Sequence, residues 1–193
     1  MQNNLLNLQS GVELQSLVAL FHRSLGELGK FDEVASGTLE EPFSHLLDHD
    51  AHMTVTVEAH HGCPVDVKVL DIRHDDDFYS RKILLTRQSD GAVVQYGIVT
   101  IDKRTIATHV FEEIMAQQTP LGRILINHDV LREVKLNQLF SITAENELAR
   151  CLSVEAGEKV AGRTAMIECD GVPAIAVLEI CLLYTSPSPR DRG

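Results

Sequence analysis

The chain contains no tryptophan, few cysteines and no long hydrophobic run. Its four cysteines lack the paired spacing of a zinc site or a disulfide framework, and we interpret them as free thiols of a cytoplasmic protein. No apolar stretch approaches the length of a membrane span, and the N-terminus lacks the basic-then-apolar pattern of a signal peptide. These absences predict a cytoplasmic protein that neither spans nor binds a membrane.

Positive charge is also scarce, with 17 Lys and Arg against 28 Asp and Glu and a formal net charge of -11. No basic patch is dense enough to outweigh this charge, so we expect no nucleic-acid-binding surface. An acidic protein can still bind a small anion where a few arginines converge in one pocket. The length of 193 residues and the 44% hydrophobic content are those of one ordinary globular domain.

Familiar catalytic and cofactor motifs are missing as well. The sequence has no Gly-x-Ser-x-Gly elbow, phosphate-binding glycine loop or dinucleotide fingerprint. His45 and His49 are spaced to share one helix face and could bind zinc, but no further ligand accompanies them, which favours solvated or capping roles. Cys63 near His61 is weak evidence for a thiol nucleophile. We therefore predict neither a metal nor a cofactor.

The last residues have an unusual composition. Residues 181–191 read as a translated sequencing adaptor, and a natural Pro/Ser-rich tail is the alternative. We interpret residues 1–180 as the domain and residues 181–193 as sequencing-adaptor read-through that is not native.

Hydrophobic periodicity predicts alternating blocks of helices and strands. The predicted helices cover residues 12–28, 41–48, 105–117 and 145–152, and the predicted strands cover 53–58, 65–72, 81–87, 93–101, 130–142, 164–168 and 174–180. Asp90-Gly91 and Asp170-Gly171 each separate two apolar runs, which is a strong hairpin signal. The pattern predicts an α+β fold: a single domain with helices packed on an antiparallel β-sheet.

The segment after residue 118 is the most distinctive local feature. Pro120 suits the first turn of a new helix, where its missing N–H costs nothing. Leu121 and Gly122 would then offer free backbone N–H groups, with Arg123 alongside, as in a carboxylate-binding corner. A plain helix–helix corner with a buried leucine is the alternative.

Two charged residues fall inside predicted strands. Arg81 opens an apolar strand, and Glu179 alternates onto the same face as Val177 and Ile175. Burying an unpaired carboxylate is costly. Glu179 is therefore either a strand end that faces water or a functional group.

Seven short stretches follow one another in a specific order. They are His52-Met53-Thr54, Arg81-Lys82-Ile83-Leu84-Leu85, Asp90-Gly91, Thr119-Pro120-Leu121-Gly122-Arg123, Gly162-Arg163, Asp170-Gly171-Val172-Pro173 and Leu178-Glu179. Together they resemble the chorismate pyruvate-lyase family over about residues 46–180, whereas the first 40 or so residues show no match. Their joint order carries the resemblance.

The resemblance implies a carbon–oxygen lyase with a single α+β domain around an antiparallel sheet. Such an enzyme eliminates pyruvate from chorismate to give 4-hydroxybenzoate, without cofactor or metal. Arg81 and Glu179 would be its catalytic residues, with Arg81 pairing with the ring carboxylate as a bidentate partner. The resemblance further implies that the corner formed by Met53, Leu121 and Gly122 binds the same carboxylate through backbone N–H groups, and that Glu179 accepts a hydrogen bond from the ring hydroxyl.

Two alternatives remain beside the enzyme. One is a small-molecule effector-sensing domain, because the effector domains of some transcription regulators resemble this fold. The short, acidic N-terminal stretch argues against it, since such domains normally follow a DNA-binding helix-turn-helix. The other is a catalytically silent relative that only binds a phenolic acid.

Overall fold

A computed structural model of the chain describes residues 8, 11, 13–130 and 132–182. These residues form a seven-stranded antiparallel sheet in the order β1-β5-β6-β7-β4-β3-β2. The strands are β1 (Gly29–Val34), β2 (Val65–His74), β3 (Phe78–Arg87), β4 (Val93–Asp102), β5 (Arg132–Ala144), β6 (Lys159–Cys169) and β7 (Val172–Cys181). The predicted single α+β domain with an antiparallel sheet is confirmed.

Helices cover both faces of the sheet. The α-helices of the described residues are α1 (Leu14–Ala19), α2 (Phe43–Leu47), α3 (Met53–His61), α4 (Thr108–Ala116), α5 (Leu121–Asn127) and α6 (Asn146–Leu152). Helices α2 to α5 pack on one face, and α1 and α6 pack on the other. The central strands are therefore buried on both sides, and in β3 the eight consecutive residues 78–85 are all buried. None of the helices in these ranges is long and apolar enough to cross a membrane.

Both predicted hairpins are present. β3 and β4 flank Asp90-Gly91, and β6 and β7 flank Asp170-Gly171. Asp170 and Gly171 have φ angles of 51° and 80°, the left-handed pair that a two-residue turn matching the twist of the strands requires. Aspartate tolerates this conformation better than most residues, and glycine adopts it freely.

The predicted strand over residues 53–58 is wrong, because these residues begin helix α3. Alternation placed Met53, Val55 and Val57 on one face, yet Val55 is 43% exposed while Met53, Thr54 and Val57 are buried. Thr54 and Val57 follow Met53 by one and four residues, which is the spacing of one face of a helix. Packing against the sheet overrides the modest preference of β-branched residues for strands.

The long helix predicted over residues 12–28 is also wrong in extent. Helix α1 ends at Ala19, a 3₁₀ turn covers Leu25–Glu27, and Gly29 begins the edge strand β1, which the periodicity did not predict. Gly29 has a φ of 139°, and a Cβ there would lie 2.1 Å from the carbonyl oxygen of Thr143. Strand β1 thus depends on a close backbone approach that leaves no alternating pattern in the sequence.

The proposed boundary near the C-terminus falls partly outside the described residues. Cys181 ends β7, is buried and pairs in register with Gln95 and Ala161. Residues 183–193, most of the segment interpreted as adaptor read-through, lie outside the described residues, and that interpretation stays a prediction.

Candidate functional site

One closed cavity lies between the sheet and the N-terminal ends of helices α3 and α5. Its floor comes from β3, β4 and β7, and its roof from the two helix ends. The five residues that the sequence singled out all line it: Arg81, Glu179, Met53, Leu121 and Gly122. The strand alternation that sends Arg81 and Glu179 to this face therefore brings them under the predicted corner.

Arg81 is a buried cation with little compensation. It is 1% exposed, its Nε atom has no hydrogen-bond partner among the described residues, and Nη1 donates only a long bond of 3.4 Å to the carbonyl oxygen of Ile114. Burial lowers the pKa of Arg81, and the Tyr79 hydroxyl opposes that shift. A guanidinium stays charged at neutral pH despite such a shift. The cavity therefore contains a positive charge that has no anionic partner in the part of the chain that the structure describes.

Free backbone N–H groups border the same cavity. At the start of α5, the N–H groups of Arg123 and Ile124 both bond to the carbonyl oxygen of Pro120, which leaves those of Leu121 and Gly122 without an acceptor among the described residues. The backbone N–H group of Met53, at the start of α3, also has no acceptor among the described residues. Such groups carry partial positive charge and suit an anion.

Gly122 allows the two helix ends to meet. A Cβ at this position would lie 2.8 Å from Thr54 Oγ1 and 3.2 Å from Thr54 Cβ, closer than side chains tolerate. Arg123, which we predicted alongside the free N–H groups, instead pairs with Glu58 and so joins α5 to α3. It is not among the residues that line the cavity.

Glu179 is held by a second buried arginine, to which the sequence analysis assigned no role. Arg163 Nε donates to Glu179 Oε2 at 2.7 Å, and the rest of the guanidinium bonds to the carbonyl oxygens of Leu47, His49 and Ala51. Because β6 and β7 place Arg163 directly opposite Glu179, the carboxylate has a fixed orientation. It lies inside the sheet as a paired group and not at a strand end that faces water.

Two further polar groups in the cavity wall lack partners. Gln95 is 2% exposed and its Oε1 atom has no hydrogen-bond partner among the described residues, and the same holds for the buried Nε2 atom of His52. Burial, followed by the charges of Arg132 and Arg163, lowers the pKa of His52 to about 4, so its ring is neutral at pH 7. The hydrophobic pattern did not distinguish Gln95 from its apolar neighbours on β4.

The cavity is small in the described conformation. Its volume of about 40 Å³ has room for roughly one water molecule, whereas ligand pockets usually enclose about 300–1,000 Å³. A small organic ligand therefore requires the helix ends to separate from the sheet.

A separate cluster on the opposite face could hold a cation. The ligand atoms of His22, Glu27 and Glu147 all lie within 4.8 Å of one another. However, Lys82 Nζ lies 2.6 Å from Glu147, and His22 Nε2 bonds to the Tyr96 hydroxyl at 2.9 Å. These contacts already supply a positive charge and hydrogen bonds, as in an internal polar cluster.

The ring of His49, which the sequence offered as a zinc ligand, makes a hydrogen bond within the fold. Its Nε2 atom bonds to the carbonyl oxygen of Leu46 at 2.7 Å.

Solved structures with a similar fold include an effector domain and proteins described as transcriptional regulators. PhnF from Mycobacterium smegmatis matches with 11% identity over 68% of this chain and 63% of its own length, with a TM-score of 0.51. The effector domain of the same protein matches over 67% of this chain and 87% of the domain, again with 11% identity and a TM-score of 0.51. The ligand-binding domain of a protein described as a GntR-family regulator, from Bordetella bronchiseptica, matches with 15% identity over 64% of this chain and 92% of that domain, with a TM-score of 0.47.

At these identities the similarity establishes the fold alone. The chain has the chorismate lyase-like fold that these regulator domains share. No protein-family model matches the chain, and no curated protein matches it.

The prediction that the chain is a carbon–oxygen lyase is wrong. A solved structure that shares its fold with a TM-score of 0.51 is named as an effector domain and not as a lyase. No sequence match connects the chain to chorismate pyruvate-lyase, and no comparison supports chorismate as its substrate or pyruvate as a product. Four of the seven stretches that suggested the enzyme contribute residues to the cavity lining.

Proposed function

We propose that this chain is a small-molecule-sensing domain that binds an organic carboxylate in the cavity under α3 and α5. The observation that carries the proposal is the buried guanidinium of Arg81, which has no anionic partner among the described residues and lines the same cavity as the backbone N–H groups of Met53, Leu121 and Gly122. The names of the solved structures with this fold, an effector domain among them, support a sensing role.

A carboxylate is the anion that fits the charge and size of this site. A planar guanidinium binds its two oxygens side by side, and the N–H groups of Met53, Leu121 and Gly122 can donate to the outward lone pairs. The surrounding floor is apolar, with Ile83 among the lining residues, so the charges attract each other through a low dielectric. The body of the ligand would thus be apolar or aromatic.

Glu179 would contact the opposite end of the ligand. Its Oε2 atom accepts from Arg163, and its Oε1 atom accepts no hydrogen bond from a described residue. In this proposal Oε1 accepts a hydrogen bond from a ligand hydroxyl. A phenolic acid, with a carboxylate at one end and a hydroxyl at the other, satisfies both requirements.

Ligand binding would also give the domain a way to signal. Because the cavity holds roughly one water molecule, a bound aromatic acid must displace the ends of α3 and α5. The exposed sides of these helices, which include Val55, would then present a changed surface. The prediction that this acidic chain does not itself bind nucleic acid stays a prediction.

The test is calorimetric titration of the full chain with benzoate and 4-hydroxybenzoate. Arg81→Met should weaken binding of both acids by about 10–150-fold, the value of one or two charge-assisted hydrogen bonds. Arg104→Met removes the same charge from an arginine that is 59% exposed and lies outside the cavity, and it should bind as the wild type does. Equal weakening by both variants, or no weakening by Arg81→Met, would refute the proposed site.

A further inference from the structure

The buried amide of Gln95 lies at the end of the cavity away from Arg81. We infer that Gln95 determines which group the ligand carries at that end, and that this group is a hydroxyl or a primary amide. The inference rests on the proposed carboxylate site and extends it from one end of the ligand to the other.

Gln95 is a buried polar residue whose side chain has an unpaired hydrogen-bonding atom. It is 2% exposed, it lines the cavity, and its buried Oε1 atom makes no hydrogen bond to a described residue. Buried polar groups are nearly always paired, and an unpaired one lowers the stability of the fold. A ligand that supplies the missing hydrogen bonds removes this penalty when it binds.

The strand register defines the position of this amide relative to the other two polar groups. Val99, Gly97 and Gln95 follow one another on the cavity face of β4, opposite Arg81, Ile83 and Leu85 of β3. Gln95 therefore lies four residues, or about 13 Å of strand, beyond the level of Arg81. Glu179 pairs with Gly97, so it lies one step before Gln95 on the neighbouring strand.

A ligand that reaches both Arg81 and Gln95 must extend along the cavity. Both side chains line it, and Glu179 lies at a level between them. Between them, Gly97 has no side chain, and the side chain of Ile83 covers it: a Cβ at Gly97 would lie 3.2 Å from Ile83 Cγ1. A flat ligand body would bridge the two ends here after the Ile83 side chain moves aside, together with the opening of the helix ends.

The polar groups at the far end restrict the chemistry of the ligand. Glu179 only accepts hydrogen bonds, whereas the amide of Gln95 both accepts and donates. A hydroxyl can donate to one of them and accept from the other, and a primary amide can pair with both edges of Gln95. A second carboxylate is excluded because it would face Glu179, and a methyl group would leave Gln95 unpaired.

The inference can be tested with ligands that differ only at this end. We would measure binding of 4-hydroxybenzoate and 4-methylbenzoate, which are similar in size, to the wild type and to Gln95→Leu by calorimetry. The wild type should prefer the hydroxyl by at least about tenfold, because a site with buried polar groups rejects an analogue that leaves them unpaired. In Gln95→Leu the preference should fall to about threefold or less, with binding of 4-methylbenzoate unchanged or tighter.

A stability control accompanies the binding data. Gln95→Leu should unfold at the same temperature as the wild type or a higher one, because an apolar side chain replaces an amide whose oxygen is unpaired. If leucine disrupts packing, Gln95→Met, whose side chain has a length close to that of glutamine, provides the same comparison.

The outcomes separate this inference from the proposed function. A hydroxyl preference that persists in the Gln95 variants would assign the selection to Glu179 and overturn the inference, with the carboxylate site intact. Equal binding of the two acids by the wild type would overturn it as well. If neither acid binds the wild type, the carboxylate site itself fails and the inference fails with it.

Discussion

Two buried arginines on neighbouring levels of the same sheet face should respond to the same substitution in opposite ways. Arg81 and Arg163 are each 1% exposed, but Arg163 has a carboxylate and three carbonyl partners, whereas Arg81 has one long bond to a carbonyl oxygen. We predict that Arg81→Met stabilises the protein and that Arg163→Met destabilises it.

The size of each effect follows from the cost of a buried charge. Replacing a buried charged group by an apolar side chain of similar volume is neutral or stabilising by about 1–4 kcal/mol, so Arg81→Met should raise Tm by up to about 16 °C. Removing Arg163 leaves Glu179 unpaired inside the protein. Breaking such a pair costs about 3–5 kcal/mol, or roughly 6–20 °C in Tm for a chain of this length.

The assay is thermal unfolding of both variants and the wild type, with and without a carboxylate ligand. At a ligand concentration of 100 times Kd, the wild type should gain about 2.7 kcal/mol in unfolding free energy. Arg81→Met, which should bind about 10–150-fold more weakly, should gain only about 0.3–1.4 kcal/mol at the same ligand concentration. The difference in unfolding free energy between Arg81→Met and the wild type would therefore become smaller or change sign when ligand is added.

One result would refute this reasoning directly. If Arg81→Met lowers the unfolding free energy by more than about 1 kcal/mol without ligand, Arg81 has a structural partner that offsets its burial. The argument for an anion site would then lose its main support. A small effect of Arg163→Met would likewise show that Glu179 tolerates the loss of its partner.

Three further predictions concern the site and the opposite face of the sheet. Gly122→Ala should cost about 1–3 kcal/mol in urea unfolding and weaken ligand binding, because its Cβ would lie 2.8 Å from Thr54 Oγ1. On the other sheet face, the Ser80 hydroxyl donates to Thr100 Oγ1 at 2.7 Å, and both residues are buried. Thr100→Val should therefore cost about 1–3 kcal/mol by urea unfolding, and adding Ser80→Ala should recover part of the loss. The folded protein holds the pKa of His52 at about 4 against an ordinary value of 6.5, so the unfolded chain binds more protons between these values. Stability should be lost as the pH falls from 6.5 toward 4, and urea unfolding should show a shallower loss for His52→Gln.

Much of the sheet was predictable from local sequence signals. The two Asp-Gly turns identified the hairpins correctly, since the backbone of a tight turn restricts its residues more than any other local element. Strands β2 to β7 all lie near their predicted positions. The exceptions, α3 and β1, have apolar residues whose spacing fits more than one element, and only their packing partners distinguish the alternatives.

The family resemblance predicted that the site residues lie together. The roles that it implied for them stay predictions. Arg81, Glu179, Met53, Leu121 and Gly122 do line one cavity. The resemblance also implied catalysis, which the regulator domains with this fold contradict. A fold supports several functions because it positions residues without specifying what they do to a ligand.

Periodicity, turn chemistry and charge established the α+β class, the antiparallel pairing of neighbouring strands and an acidic surface. These features depend on residues close together in the chain, so the sequence contains them directly. The pairing of Glu179 with Arg163, the isolation of Arg81 and the unpaired amide oxygen of Gln95 depend on which strands lie side by side. Residues distant in the sequence decide whether a buried charge has a partner. Only the tertiary structure therefore distinguishes Arg163, which is paired within the fold, from Arg81, for which we propose a ligand.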